Sequence, residues 1–141
     1  MKRIILILLI IAISAIGIIF VLQKRESGKT PVLLEPVTVE QEGISIEAIP
    51  DDFDLKAPKF NIAFTTHSGS LDFDVAKISI LEDDLENKYA ALEWQGPPPG
   101  GHHISGTLSF PALKSDVKEI KLTIGNGKDL QPFVFVWNLE K

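Results

Sequence analysis

Cysteine is absent from the 141 residues, and that absence removes several kinds of chemistry together. There can be no disulfide, no thiolate nucleophile, no zinc–thiolate centre and no lipid-modified cysteine. The only methionine is the first residue, so no thioether set exists for soft Cu(I). Histidine is scarce, with His67, His102 and His103 the only three. No glycine-rich loop opens a helix to cradle a phosphate. Ser68, Ser70 and Ser105 lie near the histidines in sequence, but none stands in a strand–turn–helix elbow. A non-enzymatic protein is therefore expected. Positive charge is also short. Every one of the nineteen acidic residues lies at or beyond Glu26, against ten of the fourteen Lys and Arg, so that part carries a net charge of −9. Such a balance argues against nucleic acid and anionic lipid surfaces as partners, since both reward basic side chains. Without covalent staples the fold must rest on its core, which about 100 residues suffice to build.

What the chain does have begins at its N-terminus. Ile4 to Leu22 reads IILILLIIAISAIGIIFVL, nineteen residues without a charge. At ~1.5 Å per residue a helix of that length spans roughly 28 Å, close to the ~30 Å of a bilayer core. A cleaved signal peptide has a shorter apolar region of about 7–15 residues. Its best processing candidate, Ala15-Ile16-Gly17, sits inside the run instead of after it. The expected form is a transmembrane signal anchor over residues 1–25. Lys2 and Arg3 precede it and Lys24 and Arg25 follow, a nearly balanced pair of flanks. A short basic N-terminus stays in the cytoplasm, which puts the C-terminal domain outside it, on a single-pass membrane protein.

Residues 26–42, with two prolines and mixed polarity, read as a linker that merges into an edge strand at Val37–Val39. From residue 43 to 141 the pattern is one of strands. Apolar residues alternate with polar ones in Gly43–Ile49, at Phe60, Ile62 and Phe64, and at Leu71, Phe73 and Val75. They do so again at Ala90, Leu92 and Trp94, and at Ile104, Gly106, Leu108 and Phe110. Ile120, Leu122 and Ile124 follow, ended by the turn signal Gly125-Asn126-Gly127, and Phe133, Phe135, Trp137 and Leu139 close the chain. The expected fold class is all-β: an immunoglobulin-like antiparallel β-sandwich of about seven strands, preceded by one N-terminal transmembrane helix. Phe64, Leu108, Phe135 and Trp137 are expected in the core, and the aromatics read as packing. The carboxylates Asp51, Asp52 and Asp54, and Glu82, Asp83, Asp84 and Glu86, match no spaced Ca²⁺ loop and read as solvated turns.

The stretch Trp94 to Pro111, WQGPPPGGHHISGTLSFP, stands out. Three prolines favour a stiff extended path without backbone donors, and two glycines then permit a sharp turn. His102 and His103 arrive at the start of the next strand. Two readings stay open. In one, the histidines bond loop carbonyls and cover the end of the core near Trp94. In the other, His67 with His102 and His103, joined by Asp72 or Asp74, holds Cu(II) or Zn(II), since imidazole and carboxylate suit those ions. Adjacent side chains of a regular strand point to opposite faces, so only an irregular start would let both His102 and His103 reach one ion.

The run THSGSLDFD, then YAALEWQGPPPGGHHISGTLSF and a closing FVFVWNL, resembles a group of small bacterial and archaeal membrane-anchored proteins. Their layout is an N-terminal helix, a short spacer and one all-β domain with a Trp-x-Gly-Pro…Gly-Gly-His-His-x-x-Gly loop. The resemblance spans roughly Gly43 to Leu139 and implies that layout, with no activity to carry over. In outline the chain is also similar to small extracytoplasmic β-sandwiches that handle copper, although the Met-rich ligand sets of many of those are missing. The expected function is a membrane-tethered extracytoplasmic binding or accessory module with a protein partner at the cell surface or in the periplasm and no cofactor. A Cu(II)- or Zn(II)-binding protein is the alternative.

Overall fold

The computed structural model describes residues 33–125 and 131–140. The anchor stretch Ile4–Leu22, the first part of the linker and the Asn126-Gly127 turn lie outside them. Within the described residues there are nine strands and no helix: β1 Val37–Gln41, β2 Ile44–Pro50, β3 Lys59–Thr66, β4 Ser79–Asp83, β5 Lys88–Ala90, β6 Glu93–Gln95, β7 His103–Ser109, β8 Glu119–Ile124 and β9 Phe133–Asn138. They form a five-stranded sheet in the order β1-β2-β3-β7-β6 and a four-stranded sheet in the order β5-β4-β8-β9. Every pairing is antiparallel. The edge strand expected at Val37–Val39 is β1, and Leu34 is already buried, so the second half of the segment read as linker belongs to the sandwich.

Period-two patterning makes the core. Phe60, Ile62, Phe64 and Thr66 of β3 are buried while Lys59 and Asn61 are exposed. Sheet pairing aligns them with Ile46 and Ala48 on one side and Ile104 and Leu108 on the other. Leu81, Ile120, Leu122, Ile124, Phe133, Phe135 and Trp137 supply the facing surface. The two faces meet where the rings of Phe60 and Trp137 lie 5.2 Å apart. Phe53 and Phe110 flank Phe60 at 6.0 and 5.8 Å. The indole of Trp137 also donates to the Glu35 carbonyl at 2.8 Å, so a buried donor is satisfied and the entering chain is tied down.

Two segments depart from the sequence reading. Leu71–Val75 forms no strand, although Leu71 and Val75 are buried and Phe73 half-buried as the alternation requires. Its backbone is taken up elsewhere: Leu71 exchanges hydrogen bonds with Gly100 and Gly101, and the Asp74 carbonyl accepts from Ile78. Tyr89–Trp94, expected as one strand, is two strands in different sheets. Tyr89 faces inward opposite Leu81, and Trp94 faces inward opposite Leu108. An odd position thus gives way to an even one, and the phase slips at Ala91-Leu92. Ala90 and Leu92 end exposed, Leu92 by 67%, because a one-residue slip exchanges the two faces of a strand. The corner is fixed by the Leu92 amide, which donates to the Ser109 carbonyl at 2.8 Å.

Asp83, expected in a solvated turn, is only 5% exposed. Its carboxylate accepts from the amides of Leu85 and Asn87, from the Asn87 side chain and from the Tyr89 hydroxyl, at 2.8 to 3.0 Å. Burial pushes its pKa up, but these donors outweigh burial and hold the pKa below the ordinary aspartate value. The carboxylate thereby shapes the β4–β5 hairpin that leads into the sheet switch.

Truncating Trp137 to Ala should cost about 3–5 kcal/mol in urea unfolding, and Val134→Ala on the outer face of the same strand under about 0.5 kcal/mol. Equal losses at both would place the wrong face of β9 inward. Asp83→Ala should cost about 1.5–3 kcal/mol near neutral pH. The folded pKa is depressed, so this stabilisation is fully present above the ordinary aspartate value of 3.8 and is lost as pH falls through the lower folded value. Unfolding measured across pH should show the gap between wild type and variant closing below about pH 4; a pH-independent gap would remove the charge from the explanation.

Candidate functional site

The stretch from Trp94 to Gly106 is built on one indole. Trp94 points inward from β6 and meets Phe64 edge-on, with centroids 6.3 Å apart and planes at 82°. The ring folds back over its own chain. A Cβ on Gly96 would collide with the indole, and one on Gly106 would come within 2.5 Å of the Gln95 carbonyl and 2.9 Å of the ring. Trp-x-Gly and the later glycine are therefore one packing unit: both backbones must approach without side chains for the ring to fit. Trp94 Nε1 then donates to the Pro97 carbonyl at 3.1 Å, pinning the start of the proline arm.

The far end of the arm is pinned by backbone. Gly100 and Gly101 have φ of +128° and +82°, conformations that side chains disfavour. Gly100 donates to the Leu71 carbonyl and Leu71 to the Gly101 carbonyl, both at 3.0 Å, and Thr66 donates to the His102 carbonyl at 2.9 Å. Ser70 adds its hydroxyl, which accepts from the Gly101 amide at 3.2 Å and donates to Asp72 Oδ1 at 2.8 Å. The loop after β3 and the loop before β7 are thus zipped together beyond the end of their ladder.

His67, Asp72 and His102 sit on these two zipped loops and His103 opens β7, and all four are exposed. His103 is paired with Thr65, and its Nδ1 lies 3.2 Å from Thr65 Oγ1. Asp74 is held instead by Lys77, at 2.9 Å. Among the described residues no group of three or more His, Asp or Glu side chains is gathered as a metal site. Nor do the histidines cover the end of the core. Phe73 does that with Trp94, its ring 5.5 Å from Phe64, because the phenyl side chain folds inward where the imidazoles stay in solvent.

A cleft of about 520 Å³ opens between the segment 73–76 and the proline arm. Phe73, Leu92, Trp94 and the three prolines give it apolar side chains, and among the described residues Asp74 and Glu93 are the ionisable ones that line it. The hydrogen bond from Lys77 holds the Asp74 carboxyl below its ordinary pKa, so at neutral pH it is a standing negative charge. Glu93 accepts from the Gln95 side chain at 2.9 Å. Reading every aromatic as core packing missed this cleft, since Trp94 both packs and lines it. The available signal was the unbroken apolar run Tyr89-Ala90-Ala91-Leu92, which leaves the phase of alternation undefined just before Glu93 and Trp94.

No protein-family model matches the sequence, and no curated protein is matched by it. Among solved structures, the crystal structure of a DUF4426 family protein from Pseudomonas aeruginosa PAO1 is similar at a TM-score of 0.47 with 11% identity, over 73% of this chain and 93% of that chain. A likeness that low carries neither a family nor a function to this chain.

The shared packing of Trp94 and its two glycines gives a double-mutant test. Gly96→Ala should destabilise by about 1–3 kcal/mol in wild type but by under about 0.5 kcal/mol once Trp94 is Ala, because the three atoms nearest the added Cβ all belong to the indole. Gly106→Ala should stay costly in both backgrounds, since it also meets the Gln95 backbone. Identical behaviour of the two glycines in chemical unfolding would contradict the geometry.

Proposed function

We propose that this chain is a membrane-tethered binding module, anchored by Ile4–Leu22, whose immunoglobulin-like sandwich stands outside the cytoplasm and engages a protein partner. The observation that carries the binding role is the cleft. It sets the apolar side chains of Phe73, Leu92 and Trp94 and three prolines among nearly as much polar surface, two carboxylates included, and one wall is an arm fixed at both ends. Sites of about 300–1,000 Å³ with an apolar lining and a few polar groups are the usual form of a binding pocket. One of its two carboxylates is unsuited to acid–base catalysis. Asp74 is ion-paired and stays charged, whereas a general acid or base at neutral pH needs a pKa near 7. The tether rests on the nineteen uncharged residues near the N-terminus, long enough for a bilayer. An excess of nine negative charges from Glu26 onward supports a domain that stays off anionic lipid while the anchor holds it near the membrane.

The test is fractionation of the full-length protein. It should remain in the membrane pellet after carbonate washing, and protease added outside spheroplasts should digest the domain. Release by carbonate, or a mature form starting near Ile18, would overturn the tether. Protection from external protease would overturn the orientation.

A further inference from the structure

The cleft beside Trp94 has a chemistry that selects its occupant. Its floor and walls are aromatic, aliphatic and proline, and Leu92 at its side is 67% exposed, a large apolar side chain left uncovered by the sheet switch. Asp74 comes from the turn before β4 and Glu93 from β6, so negative charge flanks the apolar side chains from two separate elements, and no Lys, Arg or His among the described residues lines it. The three prolines bring no amide N–H. The arm can offer only carbonyl acceptors, which again suits a donor-rich, cationic guest. Resting on the binding-module reading above, we propose that the cleft takes an extended segment of a partner protein in which an apolar side chain stands beside a lysine or arginine. The apolar group enters against Trp94 and Leu92, and the cation sits near Asp74 or Glu93, where it competes with Lys77. That lysine is no barrier: its side chain is 82% exposed, and exposed pairs of this kind hold weakly. An acidic segment would bring like charge to both carboxylates and be rejected.

The experiment uses the full-length chain in phosphatidylcholine nanodiscs, with empty nanodiscs as the blank. The probes are three fluorescent hexapeptides read by anisotropy: Ser-Arg-Leu-Phe-Arg-Ser, its counterpart with Glu for Arg, and its counterpart with Ser for Leu and Phe. The first should bind saturably, and the other two at least about tenfold more weakly. Rising salt should weaken the first. Leu92→Ser should reduce its affinity at least about fivefold, and so should the pair Asp74→Asn with Glu93→Gln. Neither change should shift the melting temperature, because Leu92 is exposed and Asn at 74 keeps the acceptor for the Lys77 amide. Equal binding of the three peptides, no saturable binding of the first, or wild-type affinity in both variants overturns the proposal. Carbonate and protease fractionation reads the tether independently. A chain that passes that test and fails the titration loses only the cleft assignment, and one that binds the first peptide but washes off loses only the anchor.

Discussion

The rings of Phe60 and Trp137, 5.2 Å apart, are where the two sheets press on each other, and the rest of the molecule follows from that contact. A chain without cysteine has no covalent tie between its sheets, so apolar area must do the work, at roughly 25 cal/mol for each Å² removed from water. Aromatics supply that area in the fewest positions. Six of the eight phenylalanines and Trp137 are buried. Because Trp137 also donates to Glu35, the same residue that joins the sheets fixes where the chain enters the domain.

The candidate site is a by-product of how the strands are distributed between those sheets. A strand that continued from Tyr89 through Trp94 would keep both in one sheet and leave no opening. The switch at Ala91-Leu92 carries the chain across instead, turns Leu92 outward, and delivers Trp94 to the rim of the five-stranded sheet. There the glycines at 96 and 106 admit the indole. Lining and opening are thus set by one change of phase.

Much of this was legible in the alternation of side chains. The two-sheet, all-antiparallel architecture and the burial of Phe64, Leu108, Phe135 and Trp137 follow from period two and from bulk. What escaped has a common cause. Periodicity reports which face a residue takes but not which partner its backbone finds. Leu71–Val75 keeps the burial rhythm of a strand while the Leu71 amide donates to Gly101 and the Asp74 carbonyl accepts from Ile78 in a turn. Asp83 looks like one acid among several until Asn87 and Tyr89 converge on it. His67, His102 and His103 drew notice by rarity, yet the residues that shape the loop are the glycines and the tryptophan, which composition alone does not distinguish. The anchor reading concerns residues outside those described.

The reciprocal hydrogen bonds between Leu71 and the Gly100-Gly101 pair have a consequence for recognition. They join the wall that follows β3 to the proline arm, so both sides of the cleft lose their conformational freedom during folding. Ordering a flexible side chain at an interface costs about 0.5–1.5 kcal/mol, and proline arms locked in advance contribute almost nothing to that loss. For the proposed guest, walls already joined by these bonds would leave more of the entropy cost of association on the guest's side. Differences in affinity between guests should then follow their own stiffness in the extended form as much as the contacts they make.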